Sequence, residues 1–543
     1  MRHFALAALL LLCNAGLANQ AIKGSVANDS GKPVPGAQVI LLRSYPEEAG
    51  IEIGRATSDT SGDFSISYEE PPLSSLPAAM HLVASSANCL GIETISNPRI
   101  SRRVIVTGTV NAFGMVIDDN EKPMPEASVE LDHITRLSYF GMEELDYTRI
   151  RPALRIKPAV TDAGGGFRID NLPSASGFSF LARKDGYEDT VGAGAIRMKP
   201  GKPSLGWISG KVIDGSAKLP IAGVRVTVVQ TDSEDGRHWA TLTKSDGSFE
   251  LDSLPSGTYS LFVLEADKPV QPVEGIKVNA SQTSEVKLLA VEGTLVRGRV
   301  VDRVTGEGIA GVMVISPGSR PVLSGSDGSF SIRMLPGPGI LSVVGRSQGY
   351  KRLEHEMDVP EIGEVTGIKL LLWHAVKVSG QVFESGKPVE GALIRLITDN
   401  GPVGLAESDP DGSYSFVLES KPKSVYLAAY NPLTRWAALS SIPDIILHPP
   451  AMISGTVKDS AGKPIPNANI LPMLKVGRLK IHALHNQTRS DSDGKFTITG
   501  LIPDATYTFR IEAAGFEPAA IPLDAKLVSG KTATTAFVLQ RSK

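Results

Sequence analysis

A short turn-and-strand motif recurs six times along this chain and limits the fold more than any other feature. Its clearest copy reads Ser245-Asp246-Gly247-Ser248-Phe249-Glu250-Leu251. The Asp-Gly pair supplies the positive φ of a hairpin turn, and the apolar residues then alternate with polar ones as in a half-buried strand. The aromatic positions of the six copies are Phe64, Phe167, Phe249, Phe330, Tyr414 and Phe496. Successive positions are 81–84 residues apart, except for 103 residues between the first two. This spacing predicts an array of domains, each with its own hydrophobic core.

A second motif precedes each copy of the first. It is a strand that begins near a glycine, a turn rich in Pro or Gly, and a further strand. The third copy has Gly210-Lys211-Val212 and Leu219-Pro220-Ile221-Ala222-Gly223, and the sixth has Gly455-Thr456-Val457 and Gly462-Lys463-Pro464-Ile465-Pro466. Helical periodicity is nearly absent, while 54 glycines and 37 prolines are spaced as turns. This pattern predicts many short strands rather than disorder.

These motifs resemble the carboxypeptidase regulatory-like domain, also described as a transthyretin-like or Cna protein B-type sandwich. The family pattern is a strand, a Gly-x-Pro-x-x-Gly-Ala turn, a strand, a Thr-x-x-Asp-Gly-x-Phe hairpin and a Leu-Pro-x-Gly-x-Tyr hairpin. Copies three and six fit it best, whereas copy five has Leu418-Glu419-Ser420-Lys421-Pro422 in place of the last hairpin. The resemblance implies an all-β chain of six tandem two-layer, Greek-key β-sandwiches. It implies little about function, because the module is an accessory in many unrelated proteins.

The predicted boundaries follow the motifs, and we call the six predicted domains repeats 1 to 6. They are a signal peptide at 1–18 and β-sandwiches at 19–106, 107–205, 206–293, 294–374, 375–450 and 451–543. The joins are too short for flexible coil, so a semi-rigid rod is expected. Trp207 and Trp373 lie at the edges of repeats 3 and 5, where we expect them to pack at joints between domains; packing inside one repeat is the alternative.

Residues 1–18 have the pattern of a cleaved secretory signal: Arg2, an apolar run over 4–12, and the small-residue site Gly16-Leu17-Ala18. After cleavage Cys89 is the single cysteine, so no intrachain disulfide is expected. No second apolar run approaches the ~20 residues of a membrane span. The sequence therefore predicts an exported protein, whether periplasmic, cell-surface or secreted, with no transmembrane segment.

Charge and motifs argue against several classes of function. The net charge of −3 disfavours nucleic acid as a partner. No His-Glu-x-x-His occurs, and no Gly-x-Ser-x-Gly stands in a strand-to-helix context. His482 and His485 would point to opposite faces of a strand, and pairs such as Asp491 and Asp493 fit turn chemistry better than a calcium loop. We expect no enzyme, no cofactor and no metal site.

Repeat 2 carries the most distinctive insertion. Its turn residue Glu126 and hairpin glycine Gly165 are 39 residues apart, against 17 to 27 in the other copies. Long loops on rigid sandwiches often bind ligands, and aromatics beside arginines can stack sugars or anchor a protein. A lengthened hairpin without a ligand is the alternative. The candidate binding residues are Arg136, Tyr139, Phe140, Tyr147, Arg149 and Arg151.

Three functions fit this sequence. The first is a non-enzymatic exported scaffold, a spacer or an adhesion protein of the cell envelope, whose partner is an unknown protein or polysaccharide at the cell surface. The second is a carbohydrate-binding protein, although an aromatic content of 6% offers few stacking platforms. The third is an accessory subunit of an envelope enzyme or transporter.

Overall fold

The computed structural model describes residues 19–44, 50–69, 79–95, 100–138, 141–201, 205–232, 238–264, 266–345, 348–482, 488–523 and 527–542. The predicted signal peptide lies outside these residues. The described residues form 45 strands, with one short 3-10 helix and one short α-helix. The all-β prediction is therefore confirmed, while the count of six domains and their boundaries stay a prediction.

The strands of repeats 1 to 3 form five sheets. Repeat 1 has β1 (Asn19–Asn28), β2 (Gln38–Ser44), β3 (Ile51–Thr57), β4 (Asp63–Glu69), β5 (Ala79–Ser86), β6 (Cys89–Ile95) and β7 (Arg102–Gly108). Repeat 2 has β8 (Val110–Asp118), β9 (Ser128–Ser138), β10 (Gly141–Asp146), the 3-10 helix (Tyr147–Arg149), α1 (Arg151–Leu154), β11 (Ala159–Val160), β12 (Gly166–Leu172), β13 (Gly177–Arg183), β14 (Thr190–Gly192) and β15 (Ala195–Met198). Repeat 3 has β16 (Leu205–Asp214), β17 (Arg225–Gln230), β18 (His238–Leu242), β19 (Ser248–Pro255), β20 (Gly257–Leu264), β21 (Val273–Val278) and β22 (Thr283–Ala290).

The strands of repeats 4 to 6 form six sheets. Repeat 4 has β23 (Thr294–Asp302), β24 (Met313–Ile315), β25 (Val322–Leu323), β26 (Ser329–Met334), β27 (Gly337–Val344), β28 (Leu353–Val359) and β29 (Glu364–Leu372). Repeat 5 has β30 (Val376–Glu384), β31 (Lys387–Pro388), β32 (Leu393–Thr398), β33 (Gly401–Glu407), β34 (Ser413–Leu418), β35 (Val425–Tyr430), β36 (Ala437–Ser440) and β37 (Ile445–Leu447). Repeat 6 has β38 (Ala451–Asp459), β39 (Asn469–Val476), β40 (Leu479–His482), β41 (Thr488–Arg489), β42 (Lys495–Leu501), β43 (Thr506–Glu512), β44 (Ala519–Pro522) and β45 (Thr532–Leu539).

Repeat 3 shows the arrangement most simply. One sheet has the order β19-β16-β22, in which β22 is parallel to β16, and the other has the antiparallel order β18-β17-β20-β21. Ile208 and Leu288 of the first sheet are buried in one cluster with Val226 and Leu261 of the second. The apolar faces of the two sheets therefore enclose one core, as the alternation in the sequence requires.

Repeat 1 departs from this arrangement. Its strand β6 pairs with β5 on one side and with the last strand, β7, on the other. All seven strands consequently follow one path, β3-β2-β5-β6-β7-β1-β4. The last strand of this sandwich thus has partners on both of its edges.

The described chain separates into two compact units. The first contains the described residues up to Val110 together with Thr148–Arg155 and Asn171–Ser174. The second contains the described residues of 111–147, 156–170 and 175–542. Two short segments that belong to repeat 2 in sequence are therefore part of the first unit.

A glycine on the first strand explains the aromatic residue of the recurrent motif. Gly210 of β16 lies opposite Phe249 of β19. A Cβ at this position would lie 2.7 Å from Cζ of the Phe249 ring and would overlap the carbonyl oxygen of Val286 on β22. The ring therefore covers the space that the absent side chain leaves. The same registers recur at Gly24 and Phe64, Gly298 and Phe330, Gly380 and Tyr414, and Gly455 and Phe496.

A buried hydroxyl before the recurrent turn bonds the backbone of the segment that precedes the second strand. Oγ of Ser408 accepts a hydrogen bond from the N–H of Ala392 at 2.9 Å and donates to the carbonyl of Val389 at 2.6 Å. Ser408 is fully buried, so both backbone groups depend on it. The equivalent hydroxyls are those of Ser58, Thr161, Thr243, Ser324 and Ser490.

Candidate functional site

The insertion in repeat 2 is a long hairpin followed by two helical turns. Strands β9 and β10 pair antiparallel, with Arg136 opposite Glu143. The guanidinium Nη2 of Arg136 lies 3.1 Å from Oε2 of Glu143. Tyr139 and Phe140, which connect the two strands, lie outside the described residues. One of the six candidate residues thus forms a cross-strand ion pair, which stabilises the hairpin.

Tyr147 belongs to the interior of the protein. Its side chain is 4% exposed, and its hydroxyl accepts a hydrogen bond of 2.8 Å from the N–H of Ile156. A buried ring has no face to offer a sugar or a partner. Its role in this structure is therefore to hold the end of the insertion, and the sequence alone could not separate this role from binding.

The segment Thr148–Arg155 is packed into the first unit. The N–H of Gly50 donates to the carbonyl of Thr148 at 3.0 Å. A Cβ on Gly50 would overlap the carbonyl oxygen of Arg149, so this approach is open to glycine alone. Helix α1 ends at Arg155, which has the left-handed φ of 46° and donates its N–H to Arg151.

The arginines of this segment differ in exposure. Arg149 is partly buried, whereas Arg151 is exposed at the first turn of α1. Arg155 contributes, after Arg55, to holding the pKa of the Glu52 carboxyl below its usual value. The binding role predicted for Arg136, Tyr139, Phe140, Arg149 and Arg151 stays a prediction, because the structure contains no ligand.

The equivalent loop of repeat 4 contacts the preceding repeat. It connects β24 and β25, and the N–H of Arg320 donates to the carbonyl of Ala266 in repeat 3 at 2.8 Å. At the same joint the guanidinium of Arg333 donates to the carbonyl of Glu292 at 2.9 Å. Both repeats lie in the second unit. This loop therefore fastens repeat 4 to repeat 3 by backbone hydrogen bonds.

The equivalent loop of repeat 6 does the same by apolar packing. Its turn residue Gly477 lies against the ring of Tyr426 in repeat 5, with 3.5 Å from an ideal Cβ to the hydroxyl oxygen. Ile397 and Ala428 of repeat 5 are buried in one cluster with Val476 of repeat 6. The loop after the second strand is consequently a joint element in repeats 4 and 6, and in repeat 2 it is part of the first unit.

A polar cluster closes the end of repeat 4. Oδ2 of Asp302 accepts a hydrogen bond of 2.8 Å from the Tyr350 hydroxyl and lies 2.7 Å from Nε2 of His374. The Tyr350 and His374 rings stack with centroids 4.6 Å apart. The pKa of Asp302 is lowered to about 2, chiefly by the hydrogen bond from the N–H of Thr305 and next by that from the Tyr350 hydroxyl. The pKa of Tyr350 is raised to about 12, chiefly by burial. Both groups are thus held in their resting ionisation state, as in a structural network.

The aspartate carboxylates of the recurrent turns accept hydrogen bonds from backbone N–H groups of the same turn. Oδ1 of Asp491 accepts hydrogen bonds from the N–H groups of Asp493 and Lys495 at 2.9 and 2.8 Å. Asp59 and Asp162 are used in the same way. Across the described ranges, no group of three or more His, Cys, Asp or Glu side chains could hold a metal ion. His485 lies outside those ranges.

Two aromatic side chains are exposed, and one of them, Phe113, belongs to no motif that the sequence shows. Trp373 is 52% exposed, and the guanidinium of Arg303, from the same repeat, lies 4.5 Å from the centroid of its ring. Phe113 is 64% exposed with Arg168 at 5.4 Å. In each pair the arginine covers one face of the ring. Trp373 is thus a surface residue of repeat 4, not an interior one.

Comparison with known domains identifies the building block. The family described as "Carboxypeptidase regulatory-like domain" matches residues 207–290 and 452–540, which are repeats 3 and 6. Two regions of the chain therefore match the carboxypeptidase regulatory-like domain. These two regions are those in which the sequence motifs are most complete, so the resemblance noted above is confirmed. No curated protein matches the sequence of this chain.

Solved structures similar to this chain are of several kinds. Hydroxyquinol 1,2-dioxygenase from Pseudomonas putida DLL-E4 is 15% identical, over 18% of this chain and 57% of the dioxygenase, with a TM-score of 0.14. The Bacillus anthracis TIE protein is 11% identical over 96% and 74%, with a TM-score of 0.15. The major pilin SpaD from Corynebacterium diphtheriae is 10% identical over 62% and 98%, with a TM-score of 0.15. Because these TM-scores are low, the likenesses carry no argument about function.

The helices of the described residues are short. None of them is long and apolar enough to cross a membrane.

Proposed function

We propose that this protein is a non-enzymatic exported scaffold, which spaces or presents a partner at the cell envelope. The observation that carries the proposal is the use of one loop as a joint: Arg320 binds the backbone of repeat 3, and Gly477 packs on Tyr426 of repeat 5. Structural joints of this kind suit a protein whose task is to hold domains at fixed separations. Export rests on the pattern of residues 1–18.

A distance measurement within the second unit tests the scaffold. Spin labels would be placed at the exposed strand positions Glu250 in repeat 3 and Ser331 in repeat 4. We expect one narrow distance distribution for the full chain. Substitution Arg333→Ala removes the guanidinium bond to Glu292 and should broaden the distribution, whereas Arg352→Ala, an exposed arginine paired with Glu354, should leave it unchanged. A broad distribution in the unsubstituted chain would refute a fixed joint.

Fractionation of cells that produce the protein tests the export. The full chain should be recovered without residues 1–18 from the envelope or the medium. A chain that begins at residue 19 should stay inside the cell. Recovery of both forms in the same compartment would contradict the proposal.

Carbohydrate binding is a second candidate, favoured by the exposed ring of Trp373. Binding to a glycan array that is lost in Trp373→Ala but kept in Tyr139→Ala/Phe140→Ala would assign it to repeat 4. The reverse result would assign it to the insertion of repeat 2. No binding to any glycan by the unsubstituted chain would exclude this candidate and leave the scaffold.

A further inference from the structure

The three-residue linkers of the second unit differ in which repeats bind them. Between repeats 3 and 4, the N–H of Val291 donates to the carbonyl of Pro269 in repeat 3 at 2.9 Å. The next residue, Glu292, accepts a hydrogen bond of 2.9 Å on its carbonyl from the guanidinium of Arg333 in repeat 4. This linker is therefore bonded to the repeats on both of its sides.

The linker between repeats 5 and 6 is bonded in the same way. The carbonyl of His448 accepts a hydrogen bond of 3.0 Å from the N–H of Ala437 in repeat 5. The carbonyl of Pro449 accepts one of 3.0 Å from Oγ of Ser529 in repeat 6. Pro449 and Pro450 also fix their own φ angles, which stiffens the linker further.

The linker between repeats 4 and 5, residues 373–375, is bonded to one side. The carbonyl of Trp373 accepts a hydrogen bond of 2.9 Å from the N–H of Lys351, and the N–H of Ala375 donates to the carbonyl of Gly349 at 2.8 Å. His374 belongs to the polar cluster of repeat 4. Within the part of the chain that the structure describes, the hydrogen bonds of this linker thus go to repeat 4. Strand β30 of repeat 5 begins at the very next residue.

The loop after the second strand shows the same contrast. In repeats 4 and 6 this loop contacts the preceding repeat, through Arg320 and Gly477. In repeat 5 only Asp399 and Asn400 separate β32 from β33. Oδ1 of Asp399 accepts a hydrogen bond of 3.0 Å from the N–H of Lys423, which lies in the same repeat. The short loop of repeat 5 is therefore bound to its own sandwich.

The sheet face that repeat 6 covers in repeat 5 is exposed in repeat 4. Ile397 on β32 and Ala437 on β36 are buried in one cluster with residues of repeat 6. In repeat 4, β28 occupies the position of β36 in the sheet order, and its outward residues Glu354 and Glu356 are exposed. Ile340, opposite Glu356 on β27, is 39% exposed. This face of repeat 4 is therefore in contact with solvent.

We propose that the chain bends at Ala375–Val376, between repeats 4 and 5, while repeats 3 and 4 move as one rigid pair and repeats 5 and 6 as another. Neighbouring domains move relative to each other unless a large, apolar interface fixes them. The core clusters of repeats 4 and 5 each consist of residues from one repeat, whereas the cluster of repeat 6 includes residues of repeat 5. The inference rests on the proposed scaffold function. It adds that the spacing is fixed within each pair, while the angle between the pairs can change.

Distances between equivalent positions of neighbouring repeats test the hinge. In a Cys89→Ser chain, spin labels would be placed in pairs on the exposed residues that follow the recurrent aromatic, Glu250, Ser331, Ser415 and Thr497. We expect narrow distance distributions within repeats 3 and 4 and within repeats 5 and 6. The distribution between Ser331 and Ser415, across the hinge, should be at least about twofold broader.

One substitution should convert a fixed joint into a mobile one. Tyr426→Ala removes the ring on which Gly477 packs and should broaden the distribution between Ser415 and Thr497. The control is Ile446→Ala, which truncates an exposed isoleucine on the other sheet of repeat 5 and should leave that distribution unchanged. Circular dichroism would establish that both variants are folded.

The outcomes separate the hinge from the scaffold. Three narrow distributions would overturn the hinge and leave the fixed joints of the proposed function in place. A broad distribution between Glu250 and Ser331 would refute the fixed joint on which both proposals depend. A broad distribution between Ser415 and Thr497 in the unsubstituted chain would overturn the second rigid pair, as would a Tyr426→Ala chain that keeps the narrow one.

Discussion

The recurrent turn before the aromatic residue occurs in every repeat and has nearly the same contacts each time, with Asp-Gly in repeats 3 to 6 and a glycine at Gly62 and Gly165 in repeats 1 and 2. The loop after the second strand, by contrast, varies in length and in what it contacts. The hairpin is fixed by contacts inside one sandwich: an aromatic ring over a glycine, and a buried hydroxyl that bonds two backbone groups. The described loops of repeats 2, 4 and 6 also make contacts outside their own sandwich. They pack on Gly50 in the first unit, bond Ala266 through Arg320, and pack on Tyr426 through Gly477.

This difference shows which parts of each repeat can vary in sequence and length. A residue whose contacts lie within one core is constrained by packing, because a close-packed interior leaves little space for a side chain of another size or shape. A loop that leaves the sandwich is constrained only by what it meets. The four predictions below test this contrast, beginning with the largest expected effect.

Substitution Gly455→Val should damage the constant hairpin most severely. The new side chain would overlap the carbonyl oxygen of Thr535 and lie within 2.8 Å of Cζ of Phe496. We expect a loss of about 3 kcal/mol, the upper range for overpacking. Hydrogen exchange of the β38 amides should accelerate accordingly. Thr456→Val at the next position is the control, and equal exchange in both variants would show that the glycine is dispensable.

Substitution Ser408→Ala removes the buried hydroxyl of repeat 5. The N–H of Ala392 and the carbonyl of Val389 would lose this partner, at a cost of about 1–3 kcal/mol. The exchange of the Ala392 amide reports the loss directly. Ser415→Ala, at an exposed position of β34, should have little effect. If both alanines behave alike, the hydroxyl does not stabilise the segment before β32.

Substitution Gly50→Ala should affect the loop and spare the cores. The added methyl group would overlap the carbonyl oxygen of Arg149. We expect faster exchange of the amides of Leu154 and Arg155, which close the turns of α1, with the amides of β12 unchanged. Gly108→Ala is the control, because a Cβ there would meet no atom within 4 Å. Faster exchange throughout repeat 2 would contradict the separation of loop and core.

The smallest effect concerns pH. The pKa of Asp302 is lowered from 3.8 to about 2, chiefly by the N–H of Thr305 and the Tyr350 hydroxyl. Its contribution to stability is therefore complete above about pH 4 and is lost as the pH falls towards 2. Asp302→Asn should flatten this part of the acid unfolding curve of repeat 4. An unchanged curve would mean that the carboxylate is not a stabilising partner of the turn.

The sequence alone determined the all-β fold, the places of the turns and the regular copies in repeats 3 and 6. These features follow local rules: Asp-Gly selects a hairpin turn, and alternation of apolar and polar residues selects a half-buried strand. The same rules singled out the insertion of repeat 2 by its length.

Only the tertiary structure decided what the candidate residues do. Tyr147, Arg136 and Arg151 were grouped as candidate binding residues because they are aromatic or arginine residues of one insertion. In the structure Tyr147 is buried, Arg136 is paired with Glu143, and Arg151 is exposed. The exposure of Trp373 likewise depends on which strands and loops lie beside it. A periodic pattern specifies which face of a strand is apolar, whereas the neighbour across that face or edge comes from a distant part of the chain.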